Sequence, residues 1–142
     1  MFDYYGLPND FPVYNNTSGT CYQKVEAAEK AFSADIGNQK FIPYIQLHEF
    51  EGLLFSSPKA IATTLGHGSA SILAFIQQIR NAFKTPEEIN QGADTHPSRR
   101  ILNLFPSYNK PVFGSLIAQR TGLQVIRDNC PHFNNWVTKL LS

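Results

Sequence analysis

Three ionisable side chains, His48, Glu49 and Glu51, fall in one short block, Ile45-Gln46-Leu47-His48-Glu49-Phe50-Glu51-Gly52-Leu53-Leu54-Phe55. An extended chain turns Glu49 and Glu51 to one side, and a helix puts His48 and Glu51 on one face. Either conformation therefore brings two potential ligands together. Carboxylate oxygens suit a hard cation such as magnesium, with phosphate oxygens completing its shell. The simpler reading is a helix start, where the macrodipole favours Glu49 and Glu51, and spacing alone favours it.

A second block, Asp94-Thr95-His96-Pro97-Ser98-Arg99-Arg100, sets the one local basic pair beside a helix N-terminus. Backbone amides and guanidinium groups could hold a phosphate there, and Tyr108 and Lys110 would extend that surface. Its simpler reading is a Ser98 cap followed by two solvated arginines. Cys130-Pro131-His132-Phe133, followed by Trp136, has the look of nucleophile chemistry. No acid partner is fixed by spacing, however, and Pro131 suits a helix start, so Cys130 and Trp136 are read as core. Gly66-His67-Gly68-Ser69 has neither the length nor the lysine of a phosphate-binding P-loop.

These residues need elements to hold them. Gly6 to Pro12 and Asn15 to Thr20 are rich in turn residues and read as loop. From Tyr22 to Ile36, Val25, Ala28, Phe32 and Ile36 recur at helical spacing, and Gly37 ends the helix. Phe41 to Leu47 is the one convincing strand, with Pro43 pointing to an edge or an irregular start. Its C-terminal end is where α/β proteins place ligands. Ser57-Pro58 opens a helix that runs to about Gly66, and Ile72, Phe75, Ile76, Ile79 and Phe83 form the stripe of the next, expected to be buried. Thr85-Pro86-Glu87-Glu88 is a capping box, and Gly92 to His96 is loop. Ser98–Leu104, Pro111–Thr121 and Pro131–Leu141 read as helices, with Gly122 ending the middle one. A lone strand leaves backbone donors and acceptors that must find partners elsewhere.

With 142 residues the expectation is a single domain over 1–142, and 42% hydrophobic with 13% aromatic residues excludes a disordered tail. A formal charge of +1 provides no whole-molecule field for phosphate, so any nucleic-acid affinity must be local. Cys21 and Cys130 stand far apart, which supports neither a disulfide scaffold nor a structural zinc, and no run is long enough for a membrane helix. With no signal-peptide pattern in the first residues, the expected location is cytoplasmic. The opening Met1-Phe2-Asp3-Tyr4-Tyr5 reads as the end of a strand whose earlier part is missing, so exposed strand edges and self-association are expected.

Tyr4-Tyr5-Gly6-Leu7-Pro8, the Phe41 to Glu51 block, Pro86-Glu87-Glu88-Ile89-Asn90, Pro97-Ser98-Arg99-Arg100 and Cys130-Pro131-His132-Phe133 together resemble a bacterial family, the domain-of-unknown-function family 4276. The likeness covers nearly the whole chain and is strongest from His48 to Phe55. Full-length members begin with a strand carrying a glutamate in a Val-Glu-Gly-like context, and the family is grouped with Toprim-like proteins. The resemblance implies an α/β fold, predominantly helical with a small Toprim-like sheet, of which this chain is the C-terminal part. It implies magnesium held by Asp3, Glu49 and Glu51, catalytic roles for His48, Glu49 and Glu51, and phosphate held by Ser98, Arg99, Arg100 and Lys110. An ABC-type or AAA ATPase as partner, nucleic acid as substrate and a role in phage defence are implied in the same way. Without the N-terminal glutamate, the chain is expected to be inactive alone. The alternative is a non-catalytic interaction or regulatory module whose acidic block only caps a helix.

Overall fold

A computed structural model describes residues 2–13, 18–90 and 92–142. Of the turn-rich stretch from Asn15 to Thr20, Asn15, Asn16 and Thr17 lie outside these described residues. Strand β1 (Phe2–Asp3) runs into a tight 3-10 turn, Tyr4–Gly6. Helix α1 (Cys21–Ile36) comes next, with Thr20 and Gln23 forming a reciprocal capping box. Gly37 closes it at φ 65°, a left-handed conformation that glycine adopts without a Cβ penalty.

The strand expected over Phe41 to Leu47 is shorter than its composition suggests. Only Ile45–Gln46 (β2) pairs, parallel to β1, with Phe2 opposite Ile45 and Asp3 opposite Gln46. Pro43 has no N–H to give to a ladder, and the stretch before β2 is held by other means. The Phe41 N–H donates to the Asn38 carbonyl, and the Ile42 carbonyl accepts from the Trp136 indole. The backbone groups of Ile45 find side chains instead of a further strand. Its N–H donates to Glu29 at 2.7 Å, and its carbonyl lies 3.2 Å from His132 Nε2. Among the described residues the sheet has two strands, and buried polar side chains stand where a third would dock.

The remainder is helical: α2 (Phe50–Leu54), α3 (Pro58–Leu65), α4 (Ala70–Asn81), a 3-10 turn at Pro86–Glu88, α5 (Pro97–Leu104), a π-helical turn at Lys110–Gly114, α6 (Ser115–Thr121), α7 (Leu123–Asn129) and α8 (Pro131–Leu141). The π-turn replaces the first part of the helix expected over Pro111–Thr121. The fold is thus helix-dominated α/β. Leu54, Phe55, Ile61, Ile76, Ile101 and Ile117 centre one apolar cluster, Tyr44, Leu53, Cys130 and Phe133 a second, and Leu7, Val25, Ile45 and Leu47 a third. Cys130 is buried as read from the sequence, and burial pushes its thiol up to about 12, so it stays protonated.

The stripe expected to be buried needs correction. Ile76 and Ile79 are buried, Ile72 and Phe83 are only partly so, with Phe83 past the end of α4, and Phe75 is 50% exposed. At 3.6 residues per turn Phe75 lies roughly 70° off the line through residues 72, 76, 79 and 83, and it is not part of the apolar cluster that Ile76 and Ile79 share with α3.

Candidate acidic site at the strand ends

Because β1 and β2 are parallel, both deliver their succeeding residues to the same end of the sheet. Asp3 closes β1, and Glu49 and Glu51 come three and five residues after Gln46. Asp3 is in electrostatic contact with both glutamates and with Lys110. Its carboxyl is raised, first by burial and then by the two glutamate charges, with Lys110 opposing. The structure therefore gathers Asp3, Glu49 and Glu51 in one neighbourhood.

Glu49 stands at the N-cap position of α2 but makes no cap hydrogen bond there. Its carboxylate reaches across to α5 instead. Oε2 accepts the Ser98 N–H at 2.7 Å, and Oε1 accepts the Ser98 and Tyr5 hydroxyls, each at 3.0 Å. His96 Nδ1 stands 3.3 Å from both oxygens, 3.1 Å from Ser98 Oγ and 3.4 Å from the Arg99 nitrogen. A single ring nitrogen serves one of these as donor or another as acceptor. Burial pushes the Glu49 carboxyl up, but the donors from Ser98 and Tyr5, with His96, outweigh it and leave it below the usual value. The N-terminus of α5, expected to be open to phosphate, is filled by this carboxylate.

Glu51 is 2% exposed in the first turn of α2. Oε1 accepts the Tyr108 hydroxyl at 3.2 Å, an approach that Gly114 permits, since a Cβ there would sit 3.1 Å from that oxygen. Lys110 Nζ lies 3.2 Å from Oε2 and 5.4 Å from the Phe50 ring centroid. It balances charge without hydrogen-bond geometry, so Oε2 has no hydrogen-bond partner among the described residues.

The other residues named from the sequence scatter around this centre. His48 Nδ1 is 3.1 Å from the Asn90 amide, and burial lowers its pKa, which keeps the ring neutral. Arg99 is half-exposed, 3.9 Å from Asp94. Arg100 turns away, its Nε donating to the Thr95 carbonyl and its guanidinium lying over Phe83. Among the described residues no three His, Cys, Asp or Glu side chains are placed to hold one metal ion. No helix among them is long and apolar enough to cross a membrane.

The family model named Domain of unknown function (DUF4276) matches residues 1–141. This chain belongs to the DUF4276 family. No curated protein and no solved structure matches it. In this DUF4276 chain, sequence reasoning passed over Tyr5 and the contact of His96 with Glu49, and placed Tyr108 only on a phosphate-facing surface. Tyr5 lies 44 residues from Glu49, and Tyr108 lies 57 residues from Glu51. A hydroxyl at that separation carries no local spacing signal.

Proposed function

We propose that the end of the β1–β2 pair is part of a Toprim-like, magnesium-dependent phosphodiester-cleaving centre. The observation that supports this reading is a buried carboxylate oxygen without a hydrogen bond beside a second carboxyl whose ionisation its neighbours oppose. Glu51 buries an oxygen without a hydrogen bond, and the charges of Glu49 and Glu51 oppose ionisation of Asp3. Magnesium is commonly held by one or two carboxylates, with water and substrate phosphate filling its shell, and Asp3 with Glu51 fit that demand. When bound, the ion would polarise a phosphodiester and activate water.

The chain's own residues have separable parts in this reading. Glu49, whose oxygens already accept several donors, positions α5 against the site. His48, kept neutral by burial, accepts a proton. Arg99 and Lys110 hold phosphate, while Ser98 and Arg100 stay bound to their present partners. In this reading the chain's part is to bind the cation, and it does not turn over alone. An ATPase partner and a role in phage defence belong to the same proposal.

Calorimetric titration with manganese as the probe tests it. Binding should be lost in Asp3→Asn and Glu51→Gln and retained in Arg100→Ala. Absence of manganese binding at millimolar concentration, with the fold intact by circular dichroism, would overturn the reading. The interaction-module alternative, favoured by the occupation of Glu49 as a helix cap, would then stand.

A further inference from the structure

A second polar recess lies at the opposite end of β2. It is a groove of about 480 Å³ between α1 and α8, walled by the residues that lead into β2. That volume is in the range of small-ligand sites. Glu29 and Lys30 enter from α1, His132, Trp136 and Lys139 from α8, and Phe41 from the wall. The floor is rigid. Glu29 Oε1 accepts the Ile45 N–H at 2.7 Å and lies 3.0 Å from His132 Nε2. His132 stacks on Tyr44 with ring centroids 5.3 Å apart. The walls are also held, because the Trp136 indole donates to the Ile42 carbonyl and Phe41 packs edge-on against Phe32.

Three chemical features are left facing the groove. The second Glu29 oxygen, Oε2, has no hydrogen-bond partner among the described residues, so the floor presents an acceptor. Phe41 and Trp136 present planar apolar surface. Lys30 and Lys139, both exposed and on facing helices, form no ion pair among the described residues, and Glu26 lies beside Lys30 on the α1 side of the mouth. An acceptor, flat walls and a lysine on each side of the mouth match a planar base with an exocyclic amino group and an attached phosphate, with Glu26 an opposing charge at the rim.

We propose that this groove binds an amino-bearing nucleoside monophosphate of the adenosine type, with the base against Trp136 and Phe41, its amino group donating to Glu29 and its phosphate between Lys30 and Lys139. The proposal does not rest on cation binding at the acidic site.

Trp136 is the single tryptophan of the chain, so its fluorescence reports this groove alone. Titration of the full chain with AMP, excited on the red edge of the indole band, should quench that emission at sub-millimolar ligand. UMP, which offers a carbonyl where an amino group is needed, should bind at least tenfold more weakly, and inorganic phosphate alone should not quench. Lys139→Ala and Lys30→Ala, both at exposed positions, should each weaken AMP severalfold with unchanged circular dichroism. Lys59→Ala on α3 should leave the titration unchanged. No quenching, equal response to AMP and UMP, full effect from inorganic phosphate, or indifference to both groove lysine substitutions would each overturn the proposal.

Discussion

Glu49 and Glu87 solve the same problem in two regions of the molecule with opposite electrostatic results. Each is a buried carboxylate that caps the first turn of a helix far away in sequence. Glu49 takes the Ser98 N–H of α5 at 2.7 Å. Glu87 takes the His132 and Phe133 N–H groups of α8 at 3.0 and 2.9 Å. Glu87 is 1% exposed, and burial raises its carboxyl despite those donors and the Tyr22 hydroxyl. Glu49 is 6% exposed, and hydroxyls from Ser98 and Tyr5 tip the balance the other way. Depth of burial and number of donors decide the sign. Glu87 belongs to the fold's interior, whereas Glu49 is a charged wall shared with Asp3, Glu51 and Lys110.

The largest expected effect comes from that depth. Glu87→Ala strands two buried N–H groups and should cost about 2 to 4 kcal/mol, whereas Glu49→Ala, whose Ser98 partner is only half-buried, should cost about 1 to 2 kcal/mol. Urea midpoints measure both, and equal losses would break the comparison.

The two acids should also give opposite pH slopes. Glu49 sits below the ordinary carboxylate value of 4.5 in the folded chain. Its contribution is therefore present above pH 4.5 and lost as pH falls through the folded value. Glu87 sits above 4.5, so its contribution is present below that pH and lost as pH rises through its folded value. Stability measured from acid to neutral pH should lose its low-pH limb in Glu49→Gln and its rising-pH loss in Glu87→Gln. Two parallel changes would count against the assignment.

Ser98→Ala sharpens the cause of the Glu49 shift by removing one hydroxyl donor while keeping the backbone one. It should cost about 0.5 to 1 kcal/mol and move the Glu49 carboxyl titration upward by NMR. The smallest effect is expected at the surface of the same helix. Arg99→Ala breaks a 3.9 Å pair with an exposed Asp94 and should change stability by no more than about 0.5 kcal/mol. A larger loss would mean that surface charge, and not the Glu49 cap, anchors α5.

Local signals carried much of the element pattern. The helix read over Tyr22 to Ile36 with its Gly37 stop, the Ser57-Pro58 start, the Thr85 box and the Pro131–Leu141 helix arise from caps, prolines and 3.6-residue periodicity, and each appears where those signals stand, although the Thr20 cap that starts α1 one residue earlier lies in a stretch that reads as loop. The strand over Phe41 to Leu47 was legible as apolar and β-forming, but its pairing was not. Pairing depends on the neighbours that packing supplies, and Glu29 with His132 took the place of an adjacent strand.

The sequence by itself placed His48, Glu49 and Glu51 at a strand-to-helix junction, because they are adjacent residues and the junction is local. Only the tertiary structure decided what each does there. It sent Glu49 to the N-terminus of α5, set Lys110 beside Glu51 without a hydrogen bond, and turned Arg100 away onto Phe83. It also made Glu87, the unassigned member of a capping box, the cap of α8. The physical reason is common to all four. A buried charge must be compensated by whichever donors or charges packing brings within about 3 Å, and those partners lie tens of residues away, where spacing holds no record of them.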